Sequence, residues 1–171
     1  PQAEWIRNGF DMEKWEKNID TYLTQVPGTS IGIMITFCFL SIPKFTLLLD
    51  KILELRKRYP HRIWFDTPYL IEPPHLSSLI TDDKMLAHLN DTLAYMATKV
   101  NDRDHLAFTS TEYAKLERVV RWIEHNRYKD EELAINRRDF VAFIREHDAR
   151  RNTDFDAAFP ELQYFIENVK R

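Results

Sequence analysis

Asp66, Glu72 and His75 stand close together in the proline-rich stretch Asp66-Thr67-Pro68 to Glu72-Pro73-Pro74-His75. Two carboxylates beside an imidazole are the residue types of general acid–base chemistry. The stretch follows a short apolar run, and in parallel α/β sheets ligands sit beyond the C-terminal ends of the strands, where loops present polar groups. The same prolines also read as the stiffening of a crossover, so a small acid–base enzyme and a purely structural loop both stand as readings. By the same rule the residues from Thr36 to Ser41, at the end of an earlier apolar run, point toward the same site.

Other reactive residues support less. The single cysteine, Cys38, lies inside an apolar run, where a thiol is packed rather than activated, since activation needs electropositive, partly exposed surroundings. One cysteine also excludes an internal disulfide framework and a cysteine-ligated iron–sulfur cluster or zinc ribbon within this chain, and it fits a reducing, cytoplasmic compartment. The six histidines never form an HxH or HxxxH pair, so no metal site is expected. The acidic stretch Asn101-Asp102-Arg103-Asp104 places a cation where a calcium ligand belongs and lacks the required glycine, so it reads as a solvated turn. Neither GxxxxGK[ST] nor GxGxxG is present, which argues against a glycine-cradled phosphate.

The chain carries 24 Lys+Arg against 27 Asp+Glu, a net charge of −3 that exerts no overall pull toward nucleic acid or anionic lipid. The basic stretch Arg56-Lys57-Arg58 to Arg62 reads as the C-terminal end of a helix and its solvated exit. The aromatic residues Phe140, Phe155, Phe159 and Phe165 keep helical spacing, which suits packing better than base stacking. The run 29–42 is too short to cross a membrane as a helix and is closed by Pro43-Lys44.

That run, TSIGIMITFCFLSI, is the element on which the organisation turns. It reads as a buried strand of a parallel sheet covered on both faces. It passes through Pro43 into a helix carrying Phe45, Leu48, Leu49, Ile52 and Leu53 on one stripe, and a second strand follows around Arg62 to Phe65. Before it, Asp11 caps a helix with Met12, Trp15, Ile19, Tyr22 and Leu23 on one face. After it the chain is helical. Thr81 caps one helix, a Thr109-x-x-Glu112 capping box opens another, Asn136 to about His147 forms a third, and a last helix carries Phe159, Leu162, Phe165 and Ile166. The opening Pro1 reads as processing, trimming or an internal fragment, and two β/α units are too few to complete an α/β enzyme.

The order of pieces is similar to a known family. The segments around Arg7, Leu40 to Pro43, Pro74 to Ser77, Asp148 to Phe155 and Phe159 to Leu162 resemble the C-terminal part of twitch-domain-containing radical S-adenosylmethionine proteins. The resemblance implies a partial (β/α)6 barrel, a CxxxCxxC loop holding a [4Fe-4S] cluster, and S-adenosylmethionine cleaved reductively to a 5′-deoxyadenosyl radical. This chain has no CxxxCxxC. The two strands are then the fifth and sixth staves, with 1–80 the closing β/α units and 81–171 a helical extension. Thr36, Ser41 and Asp66 are placed by strand position at the S-adenosylmethionine and substrate cavity, and the chain alone is inactive. The partner it implies is the missing N-terminal part of the same protein, with oligomers through an exposed sheet edge or the Phe-rich helices also in view. The rival expectation is a mostly helical protein-interaction module without catalytic activity.

Overall fold

The computed structural model describes residues 2–169. In chain order the regular elements are α1 (Gln2–Ile6), α2 (Met12–Gln25), β1 (Ile31–Met34), α3 (Phe45–Arg58), β2 (Ile63–Asp66), α4 (Asp83–Ala97), α5 (Ser110–Asn126), α6 (Asp130–Arg151), α7 (Phe155–Ala158) and α8 (Gln163–Val169), with four short 3₁₀ turns between them. Helix dominates, and the only sheet among the described residues is a parallel pair, β1 with β2, which places the fold in a general α/β class. No helix among the described residues is long and apolar enough to cross a membrane. The chain divides into two compact units: Gly28–Tyr128, and the residues up to Pro27 together with those from Lys129 onward. The boundary expected at 80/81 lies within the first of these.

In the unit Gly28–Tyr128 the register pairs Ile31 with Ile63, Gly32 with Trp64, Ile33 with Phe65 and Met34 with Asp66. The ladder continues beyond β1, because the amides of Ile35 and Phe37 donate to the carbonyls of Asp66 and Pro68 at 2.9 and 2.7 Å. The regular strand is shorter than the apolar run suggested: Phe39–Ser41 turn into a 3₁₀ segment that hands the chain to α3. Residues at alternate positions of a strand face opposite sides of the sheet. On one side Ile63 and Phe65 are buried beneath α3 and α5. On the other, Met34 and Trp64 remain 54% and 45% exposed. The expected cover on both faces is therefore found on one only, because the helices of this unit that touch the strands meet the Ile63–Phe65 side.

Arg56 joins these elements. It extends the buried stripe Phe45, Leu49, Ile52 of α3 and is 4% exposed, whereas Lys57 and Arg58 beside it are exposed. Its Nε donates to the Ile63 carbonyl at 3.1 Å, one Nη to the Ala107 carbonyl, and the other to Glu112 Oε1 at 2.5 Å. The guanidinium also lies over the Phe108 ring, 5.4 Å from its centroid. Glu112 is shared. Its second oxygen accepts the Thr109 amide at 3.1 Å, while Thr109 Oγ1 accepts the Glu112 amide at 3.1 Å, which closes the expected capping box of α5. The solvated role expected of the whole basic stretch thus does not hold for Arg56, whose charge is matched inside the unit. At α4 the cap is Asp82, whose carboxylate accepts the Met85 amide at 2.8 Å. Thr81, expected there, instead bonds back to the Ser78 carbonyl at 2.5 Å.

The second unit is organised around Asp148. Its Oδ1 accepts Trp5 Nε1 and Thr153 Oγ1, each at 2.7 Å, and its Oδ2 accepts the Phe155 amide at 2.8 Å. The Trp5 ring stacks on His147 at 3.9 Å and meets Phe155 and Phe159 edge-on. α6 begins at Asp130, earlier than the expected Asn136, and runs through the polar residues to Arg151, where Asn152 in a left-handed conformation ends it. The expected last helix is broken at Pro160, after the four-residue α7.

Burial works against the Asp148 charge, but the bonds from Thr153, Phe155 and Trp5 outweigh it and hold the carboxyl below the usual range. Burial first, then the Arg151 cation, pushes His147 below its ordinary 6.5. In both cases the unfolded chain binds the proton more readily, so stability falls with acid. This unit is expected to weaken first as pH drops below 6.5, through His147, and again below the ordinary carboxylate range, through Asp148; His147→Gln removes the first step only. The check is the urea midpoint against pH. In the other unit, Arg56→Met is expected to cost about 3–5 kcal/mol, because it strands a buried carboxylate and two carbonyls. Glu112→Gln, which keeps the cap geometry, costs less. Urea denaturation followed by circular dichroism ranks the two.

Candidate functional site

The ends of β1 and β2 bring together part of the expected site. Thr36 is exposed between Ile35 and Phe37, whose amides bond across to Asp66 and Pro68, so it stands beside the start of the Asp66 loop. Asp66 closes β2, half-buried. Its Oδ1 accepts the Thr67 amide at 2.8 Å and lies 3.6 Å from Lys115 Nζ. Ser41 does not join them: its Oγ accepts the Cys38 amide at 3.2 Å and contacts Cys38 Sγ at 3.5 Å, closing the 3₁₀ turn. Cys38 is buried there.

The rest of the acid–base trio lies further along the loop. Glu72 is exposed and precedes Pro73 through a cis peptide bond, and His75 sits half-buried in the 3₁₀ turn Pro74–Leu76. The loop returns to the helices at Tyr69. Tyr69 pairs with Phe37, stacks on Trp122 at 4.3 Å with nearly parallel planes, and donates its hydroxyl to the Arg118 carbonyl at 3.3 Å. Tyr69 thereby anchors the loop to α5.

Three contributors were not expected. Lys115 reaches from α5 to the Phe65 carbonyl at 3.3 Å, toward Asp66, and over the Trp64 ring at 5.7 Å. Trp64 and Met34 form the apolar part of the exposed face. Trp64 lies so close over Gly32 that a Cβ placed there would fall 2.2 Å from the indole, and the glycine is what admits the ring. The signal for Trp64 was available, since it alternates with Ile63 and Phe65 on a strand. Lys115 carried none, because nothing local links it to a carboxylate 49 positions earlier.

Chemically, the arrangement is a wall with a polar rim. Met34 and Trp64 offer apolar surface that excludes water, and Asp66, fixed by the Thr67 amide and Lys115, offers an oriented acceptor at the strand ends. Among the described residues no group of three or more His, Cys, Asp and Glu side chains could hold a metal ion. Comparison of the chain with protein-family models, with curated proteins and with solved structures finds no match in any of the three.

Proposed function

We propose that this chain is the C-terminal β/α portion of a cytoplasmic radical S-adenosylmethionine enzyme, built on a partial (β/α)6 barrel of which β1 and β2 are the last two staves. One observation carries the reading: a parallel β–α–β unit has helices on one face, while Met34 and Trp64 on the other are exposed. Parallel strands are ordinarily covered on both sides. In a β/α barrel the helices lie outside and the opposite face turns inward, so the open face is the cavity wall. Thr36 and Asp66 then lie at the C-terminal rim, where such barrels hold their ligands.

The cluster itself does not fit these residues. Cys38, the one cysteine, is buried with its thiol against Ser41, so the thiolates that ligate iron belong to polypeptide outside this chain, and no step is assigned through the cluster. What these residues supply is positioning: Met34 and Trp64 keep water from the cavity, and Asp66 orients a polar group at its rim.

The reading is tested by release of 5′-deoxyadenosine from S-adenosylmethionine under reducing conditions. The chain alone is expected to release none. The natural polypeptide that contains it, with its cluster reconstituted, is expected to release it, and Trp64→Arg, which sets a cation in the wall, to lower the rate on the order of a hundredfold. A natural polypeptide without CxxxCxxC, or turnover indifferent to Trp64→Arg, overturns the proposal.

A further inference from the structure

Two charges of opposite sign stand beside the exposed surface of Met34 and Trp64. Asp66 ends β2, and Lys115 comes from α5, which packs against that strand and sets its Nζ 3.6 Å from Asp66 Oδ1. The side chains are 31% and 26% exposed, so the pair is neither buried nor fully solvated. The same ammonium donates to the Phe65 carbonyl at 3.3 Å and lies 5.7 Å from the centre of the Trp64 ring. Arg118, the next cation along α5, lies over the Tyr69 ring instead. The ion pair of Arg56 with Glu112 is buried, so it adds no charge to the exposed surface.

A carboxylate next to an indole is by itself a receptor for cations, because charge and the electron-rich face of the ring both attract them. Here a residue of the chain already fills that role. Lys115 takes the carboxylate and the ring that a cationic group would seek, and Asp66 cancels the ammonium that an anionic group would seek. A charged ligand group would have to break this pair and shed its own water as well, which is costly without a new partner. What is left for a ligand is the free surface of the indole and the Met34 thioether, 45% and 54% exposed. Both are apolar, and a thioether beside an aromatic ring suits apolar and aromatic groups.

We propose that Lys115 determines the specificity of this wall, and that the substrate group received there is an uncharged apolar one. The inference rests on the reading above that the open face of the strands takes a ligand, and it names the class of group that this face admits. The strands supply the apolar surface and one negative charge. The helix that follows them supplies the cation that makes the surface neutral, so the choice of ligand is set by α5. Removing either charge is then expected to turn the same wall into a site for the opposite one: cations without Lys115, anions without Asp66.

The test is titration of the 171-residue chain with three probes that share one ring, benzyl alcohol, benzylammonium and benzoate, read by NMR at the Met34 methyl and the Trp64 indole N–H. The unaltered chain is expected to bind the alcohol at least as well as either ion. Lys115→Met is expected to shift the ratio about fivefold toward benzylammonium, and Asp66→Asn about fivefold toward benzoate, both shifts shrinking in high salt. Should Lys115→Met fail to fold, Asp66→Asn, which keeps an acceptor for the Thr67 amide, decides alone. Stronger binding of either ion than of the alcohol by the unaltered chain, ratios that do not move in the folded variants, or no response at Met34 and Trp64 to any probe overturns the inference. Absence of 5′-deoxyadenosine release from the natural polypeptide would leave these ratios untouched, so the reaction and the specificity fail separately.

Discussion

The unit Gly28–Tyr128 depends on one buried cation. Arg56 carries a charge into a stripe otherwise made of Phe45, Leu49 and Ile52, and that is tolerable because its three nitrogens each donate to an acceptor on a different element. Taking a guanidinium from water costs several kcal/mol, which its partners must offset. The arrangement tells β2, the turn before α5, and the first turn of α5 where to stop relative to α3. Apolar packing alone tolerates slippage; a forked donor with three fixed acceptors does not.

The same residue shapes the sheet. Arg56 takes the outward Ile63 carbonyl of β2 and Lys115 the outward Phe65 carbonyl, each from a helix that touches that strand. The strands thus have one covered face and one on which Met34 and Trp64 are exposed, with the outward carbonyls of β2 occupied. An isolated pair of short parallel strands has little stability of its own. Its persistence here rests on α3, which both connects the strands and buries their apolar side, and on the indole of Trp64 lying across Gly32.

Much of this was legible in the residues. The cap at Asp11, the capping box at Thr109 and Glu112, and the stripe of α3 all follow from local rules, and local rules are what a sequence displays most directly. The length of β1 was overread, because a continuous apolar run does not say where a strand yields to a 3₁₀ turn. Arg56 was visible in principle: it sits four residues beyond Ile52 on a stripe that stays buried. Its partner Glu112 lay 56 positions away, and nothing in the chain's local pattern joins the two. The rim of the site shows the same limit. The position of Thr36 and Asp66 at neighbouring strand ends followed from strand order, whereas that of Lys115 depended on how α5 packs beside β2.

The bond between Trp5 and Asp148 spans 143 positions, and this has a consequence for the order of events during synthesis. Everything in the unit Gly28–Tyr128 is available once that stretch has left the ribosome, so its contacts can form while the chain is still growing. The other unit draws on segments that flank this stretch on both sides. α1 and α2 must wait for α6 and the residues that follow, with Trp5 lacking this partner until Asp148 has been made. Closing so long a loop is entropically slow but not prohibitive, since the cost rises only with the logarithm of its length. The unit Gly28–Tyr128 can therefore complete its contacts before the other does.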